Sequence, residues 1–307
     1  MRATREAFGE HLPVMGEKHN NIVALDADLG KATKIASFGQ AHPDRFFQMG
    51  IAEANMIGVA SGLSEYDYKV FLASFGSFLT GRYDMIRCSL AYPNRPVVLV
   101  GTHVGMAIGK DGVTQMGLED VSIMRALPNM VVLNPASYSE TIKVIEYLCD
   151  TELESPHYLR LGRQPVEDIV MPFEFGKGQI VNDGDDITLF STGCILGDVL
   201  KSAFIIEEKT SMSVRVVNIP TLKPIDEEII IDSAIHTNHV FTIEDHSIIG
   251  GLGSAVSEVL SEKYPTKVSR IGLNDVFPES APPTDLYEKY GLSSNKIADR
   301  VLSELDK

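Results

Sequence analysis

The chain has 307 residues, of which 44% are apolar and 22% charged, and a net charge of −15. That length buries a sizeable core and suits two domains, and the mix is that of a soluble globular protein without low-complexity segments. No cluster of Lys and Arg stands ready to neutralise a row of phosphates, and no apolar run approaches the roughly 20 residues of a membrane span, so nucleic acid and membrane partners are excluded.

The N-terminus "MRATREAFGE" lacks the apolar core of a secretory signal, and the chain is expected in the cytoplasm. Short apolar runs then alternate with longer helix-compatible stretches: "NIVALDAD" (21–28), "YKVFLAS" (68–74), "PVVLVGT" (96–102) and "NMVVLNP" (129–135). Strands buried on both faces read as continuous apolar runs, so these predict βαβ units and a doubly wound α/β layer. Cys88, Cys149 and Cys194 are widely spaced, with no CxxC pair. They give neither a disulfide framework nor a zinc site and are expected to be small buried apolar residues.

The alternation breaks over 162–186, where Pro, Gly and acids mark an interdomain connection ending in a turn. It restarts with strands near 187, 214 and 240 and a helix from about Ser254, giving a smaller α/β domain. The predicted division is a first domain over 1–165, a linker over 166–183 and a second domain over 184–307.

Most chemistry-bearing residues fall in the first half. Glu53 is the one carboxylate in "FFQMGIAEANMIGVASGL" (46–63). An acid in the first turn of a helix is stabilised by the helix dipole, which accounts for it without function. Its neighbours Ala52, Ala54, Gly58, Ala60, Ser61 and Gly62 suit close packing instead, and a carboxyl at a dry interface is able to hold a proton near neutrality. In "SFGSFLTGRYDMIR" (74–87), Phe75, Phe78 and Tyr83 are equally consistent with core. The Gly-rich stretch "GTHVGMAIGKDGVTQMGLED" (101–120) follows a buried strand, where α/β folds place ligands, and carries His103, Lys110, Asp111 and Gln115. "GGLG" (250–253) lacks the third glycine of a dinucleotide fingerprint and reads as close packing at a helix start, and "NDGDD" (182–186) reads as a turn.

Together, "VALDADLGKAT", "HPDRFFQMGIAEANMIGVASGL", "FGSFLTGRYDMIR", "IGKDGVTQMGLEDVSIMRALPNMVVLNPAS" and "TIEDHSIIGGLGSAVSEVL" resemble the C-terminal half of a transketolase, in order and over nearly the whole chain. The resemblance implies a pyrimidine-binding domain, then the family's C-terminal domain, with thiamine diphosphate and Mg²⁺ as cofactors. In the family the glutamate at position 53 hydrogen-bonds N1′ of the aminopyrimidine and favours the imino tautomer that takes up the thiazolium proton. By the same matching, Phe75, Phe78 and Tyr83 form the aromatic pocket of the pyrimidine, and Asp28 lies near the thiazolium. Asp111 and Gln115 meet the donor sugar's hydroxyls, Gln115 standing where many members have a histidine. Arg5, His103 and Arg163 contact its anionic end, where Ala32 replaces a usual serine.

No GDG motif of the kind that holds the Mg²⁺-diphosphate in the family is present. The resemblance therefore implies the C-terminal subunit of a split transketolase, with no metal ligands of its own, paired with an N-terminal subunit in an α2β2 assembly. The expected activity moves a two-carbon ketol unit from an anionic ketose to an aldose. Alternatives are a deoxyxylulose phosphate synthase-like protein, a 2-oxo acid dehydrogenase β subunit, or a non-catalytic assembly partner. "IGKDGVTQMGLED" is closer to transketolase than to the first two, and a purely structural copy has no need of Glu53.

Overall fold

In the computed structural model, which describes residues 1–305, the chain folds around two sheets. The strands in chain order are β1 (Ile22–Asp26), β2 (Phe46–Gln48), β3 (Lys69–Phe75), β4 (Val97–Thr102), β5 (Val131–Leu133), β6 (His157–Leu161), β7 (Gln179–Asn182), β8 (Ile187–Ser191), β9 (Val214–Asn218), β10 (Thr221–Lys223), β11 (His239–Ser247) and β12 (Val268–Leu273). The first sheet has the order β10-β5-β6-β4-β3-β1-β2 and is parallel except for β10. The second has the order β12-β11-β8-β9-β7, with β7 antiparallel.

The apolar runs are continuous because both faces of the first sheet are covered. Val23, Leu25, Val70, Leu72, Val97 and Leu99 point to one face and pack on Met56, Ile57 and Ala60 of the helix Glu53–Leu63. Their alternates Ile22, Ala24, Phe71, Ala73, Val98 and Val100 meet Phe8, Leu12 and Met15 of the helix Thr4–Lys18, with Val144, Ile145 and Leu148 of the helix Tyr138–Asp150. Each such fully buried aliphatic side chain contributes about 1.5–3 kcal/mol, which makes this double-sided core the main stabiliser of the layer.

The two halves share contacts. Strand β10 follows β9 of the second sheet, yet pairs with β5 at the edge of the first. The Asn134 amide N–H donates to the Pro220 carbonyl at 2.8 Å, and the first core face continues into Val217, Ile219, Leu222 and Leu252. Segment 166–183 runs outside regular structure until β7. The second-domain helix begins at Leu252, two residues before its expected start. Its leading amides, Leu252 and Gly253, donate to the Glu244 carboxylate at 2.8 and 2.9 Å, so the protein's own acid fills this end. A Cβ on Gly251 would stand 1.9 Å from Glu244 Oε2, which is why the glycine is there.

The expectation for the cysteines needs correction. Only Cys149 is buried; Cys194 is half-buried and Cys88 is exposed on a wide helical turn. A small side chain on such a turn is set by the backbone, and composition gives no sign of which way it faces. Among the described residues, no helix is long and apolar enough to cross a membrane.

Glu140 offers a test of the packing between the halves. It is fully buried, accepting the Ala136 N–H at 2.6 Å and the Asn218 side-chain N–H at 2.8 Å. Burial outweighs these donors and pushes it up to about 7. An acid whose folded pKa is raised favours the fold fully below its unfolded value, and that contribution is lost as pH rises through about 7. Glu140→Gln is neutral throughout, so its stability relative to the native chain is expected to grow between about pH 4.5 and 7 and then level off. Urea midpoints at stepped pH measure this, and a pH-independent gap would mean that Glu140 does not hold its proton.

Candidate functional site

Parallel pairing brings the carboxyl ends of β1, β3 and β4 together. The β3–β4 register sets Ser74 opposite Gly101 and Phe75 opposite Thr102, and β1 places Asp26 beside Ala73. The segments leaving these three strands therefore converge on one rim, as in other open α/β sheets.

Glu53 is the first residue of its helix and is only 6% exposed. Its carboxylate caps no amide of that helix; among the described residues its hydrogen-bond donor is the Ser74 hydroxyl, at a long 3.4 Å. The dipole explanation does not require that reach across to β3. Below Glu53 the helix buries Met56, Ile57 and Ala60, while a Cβ on Gly58 or Gly62 would meet nothing within 4 Å. Ile51, just before the helix, is 84% exposed. Of the small residues anticipated from the sequence, Gly58 and Gly62 thus open onto space, whereas Ala60 is buried in this chain's own core and Ser61 Oγ donates to the Ser89 carbonyl at 2.7 Å.

Phe75 ends β3 and Phe78 lies in the short helix Gly76–Thr80; their rings stack at 5.3 Å and 19°. Phe75 also stacks on the His103 ring, 3.8 Å away. Tyr83 is half-buried and packs on the cluster holding Met56 and Ile57, away from the core cluster of Phe75 and Phe78.

His103 is 3% exposed and takes a left-handed backbone, φ 58°, where the chain leaves β4. Arg5 Nη1 lies 2.8 Å from His103 Nε2, and a guanidinium only donates, so Nε2 accepts. The proton then sits on Nδ1, which donates to Thr102 Oγ1 at 2.8 Å, and that hydroxyl donates to the Ser74 carbonyl at 3.3 Å. Burial first, then the Arg5 and Arg163 cations, lower His103 to about 3, so the ring is neutral and orients Arg5. Arg5 also donates to the Ala32 carbonyl at 2.7 Å, its buried Nε has no partner among the described residues, and burial with Arg163 nearby lowers its pKa. Arg163 donates to the Ile108 carbonyl at 3.2 Å and pairs with exposed Asp111 at 2.6 Å. One guanidinium touches the neutral imidazole and a second, paired with Asp111, lies near enough to lower its pKa, so two groups able to bind an anion stand on the same side of the loop.

Gln115 is half-buried, and its carbonyl accepts from Ser77 Oγ at 3.1 Å, tying its loop to the Phe78 helix. Asp28 is exposed with φ 65°, on a cleft of about 430 Å³ shared with Asp26, Lys31, Ala32 and Gln48. The structure thus joins Glu53, Phe75, Phe78, His103 and Arg5 by direct contacts or short relays, and Arg163, Asp111 and Gln115 through the loop after β4. Asp28 and Tyr83 stand apart from those contacts.

Four residues that order the site escaped the sequence reading. Ser74 and Thr102 link Glu53 and His103 through β3. Asp26 accepts the Leu29 and Gly30 amides at 3.1 and 2.9 Å and the Gln48 side chain at 2.7 Å, and Gln48 accepts the Asp28 amide at 3.0 Å. An Asp at a strand end followed by Gly four residues on was a turn signal for Asp26. Nothing local distinguishes Ser74 or Thr102 from ordinary strand residues. Among the described residues no group of three or more His, Cys, Asp or Glu is placed to hold a metal ion.

Two family models match this chain: the transketolase pyrimidine-binding domain over residues 1–168 and the transketolase C-terminal domain over residues 176–297. A Methanocaldococcus jannaschii protein named as a transketolase C-terminal section is 43% identical, covering 100% of this chain and 97% of its own length. A 6-deoxy-6-sulfo-D-fructose transketolase subunit of a Clostridium species is 37% identical over 95% of this chain and 91% of that protein. Human transketolase is 33% identical over 97% of this chain, which spans 48% of the human protein. A solved structure described as a split gene transketolase, inactive beta4 tetramer, superposes with a TM-score of 0.91 at 42% identity, covering 99% of this chain and 98% of that one. With both domains matched in order and relatives of equal length among them, the chain belongs to the transketolase family and corresponds to its C-terminal section.

Proposed function

We propose that this chain is the C-terminal subunit of a two-chain transketolase, transferring a two-carbon ketol unit from an anionic ketose to an aldose. The observation that carries the reading is Glu53: a buried carboxylate weakly held by Ser74, the residue that precedes Phe75 of the Phe75–Phe78 stack, on a helix open at Gly58 and Gly62. An aminopyrimidine fits such a place, having flat faces for aromatic rings and a ring nitrogen for a carboxyl. When bound, thiamine diphosphate supplies the acidic carbon on which a ketol group is carried. This chain's part is to bind the pyrimidine between Phe75, Phe78 and a companion subunit, and to hold a proton at the Glu53 carboxyl. Arg5, oriented by neutral His103, and Arg163 take the anionic end of the sugar, while Asp111 and Gln115 meet its hydroxyls.

The companion is an N-terminal subunit bearing the GDG motif absent here, which binds Mg²⁺ and the diphosphate, with two copies of each chain. Likeness to a chain described as an inactive tetramer supports the need for a companion. Ala32 leaves its backbone carbonyl, not a hydroxyl, facing Arg5, and likeness to a sulfo-sugar transketolase subunit brings a sulfonate within the donors to be screened beside phosphate.

Calorimetric titration of thiamine diphosphate with Mg²⁺ is expected to give heat only when this chain is mixed with its companion. Tight binding to the lone chain would place a complete diphosphate site here and end the two-chain account.

A further inference from the structure

The loop over 103–117 carries His103, Asp111 and Gln115, yet it is seated on the second domain. Its neck is closed by the Gly105 amide donating to the Gly117 carbonyl at 2.7 Å. Directly beyond, Asp245 of β11 accepts the Met106 N–H on Oδ1 at 2.9 Å and the Tyr287 hydroxyl on Oδ2 at 2.7 Å. The Tyr287 oxygen accepts in turn from Gln164 Nε2 at 2.7 Å. Gln164 follows Arg163, which grips the other side of the loop through the Ile108 carbonyl and Asp111. The approach of Asp245 is possible only at a glycine: Gly105 has φ +70°, and a Cβ there would lie 2.0 Å from Asp245 Oδ2.

Asp245 is nearly fully buried, and both its oxygens are committed, one to a loop amide and the other to a phenol reached from a separate helix. A buried carboxylate is costly unless its bonds are made, so this one fixes the loop at a defined height above β11. We propose that Asp245 and Tyr287 are positioning residues that set the substrate loop from the C-terminal domain, giving that domain a part in donor-sugar recognition. The inference rests on the functional reading above for what the loop binds, though not for what holds it.

Tyr287→Phe removes one hydroxyl and little volume; Asp245→Asn is the second variant. In the two-chain complex, both are expected to raise the donor KM by about 10-fold or more, because small displacements of a binding group are amplified in the bound geometry. The expected kcat stays within about twofold, since the lost interaction serves binding. Thiamine diphosphate affinity should be unchanged, which a general loss of structure would not allow. In the subunit alone, amide exchange at Met106 and through 104–112 is expected to quicken while β1 and β3 keep their protection. Unchanged exchange at Met106 in both variants, or an unchanged donor KM, overturns the proposal. If the native pair transfers no ketol group from any donor, the functional reading fails by itself, and exchange still decides whether these residues hold the loop.

Discussion

A Glu53→Gln subunit paired with its companion is expected to bind thiamine diphosphate and to turn over about 10²–10⁴-fold more slowly than the native pair, the range for losing a positioned proton-transfer group. Gln matches Glu in size and keeps an acceptor for the Ser74 hydroxyl, so the helix and its packing on β3 should persist. An amide, unlike a carboxyl, cannot take up or release a proton at its oxygen. Steady-state turnover together with calorimetric cofactor affinity checks this. Normal turnover would remove Glu53 from the chemistry, whereas a collapse of cofactor binding would make its role one of binding alone.

The second large effect concerns the junction of the domains. Asp120, fully buried at the start of the helix Asp120–Ala126, accepts Arg160 Nε at 2.8 Å, Arg160 Nη2 at 3.1 Å and the Tyr158 hydroxyl at 2.8 Å. Arg160 also donates to the carbonyls of Gly117, at 3.2 Å, and Asp245, at 3.0 Å, so one guanidinium binds the loop neck and the second domain at once. Burial opposes the charge on Asp120, but Arg160 outweighs it and holds the carboxyl below its ordinary range. Asp120→Asn leaves Arg160 buried without its counter-charge and is expected to cost about 3–5 kcal/mol, a loss read as a lower urea midpoint. A double variant, Asp120→Asn with Arg160→Met, should recover much of that loss, because the stranded charge is the main penalty. A single variant as stable as the native chain would show that the pair is not shielded.

The same pair marks where sequence reading stopped. The strands 21–28, 68–74, 96–102 and 129–135 were legible because each lies between two helix layers, and burial on both faces demands an unbroken apolar run. Strand β6, "HYLRL", was not, since a His and an Arg interrupt its apolar run; Arg160 is buried with Asp120, forty positions earlier, against it. Strand β10 was equally hidden, as three residues acquire their identity from pairing with β5 across the domain junction. The family signature carried Glu53, Phe75, Phe78, His103 and Arg5 to one site, and the structure brings these into one network. By itself, then, the sequence determined the layered α/β plan, because periodicity is a local property of the chain, and the resemblance of its motifs supplied the two family domains and the candidate site residues. Only the tertiary structure decided that His103 is neutral and aims Arg5, that Ser74 faces Glu53, and that Asp245 seats the loop over 103–117. Hydrogen-bond direction, burial and charge pairing arise between residues far apart in sequence and exist only once the strands are side by side.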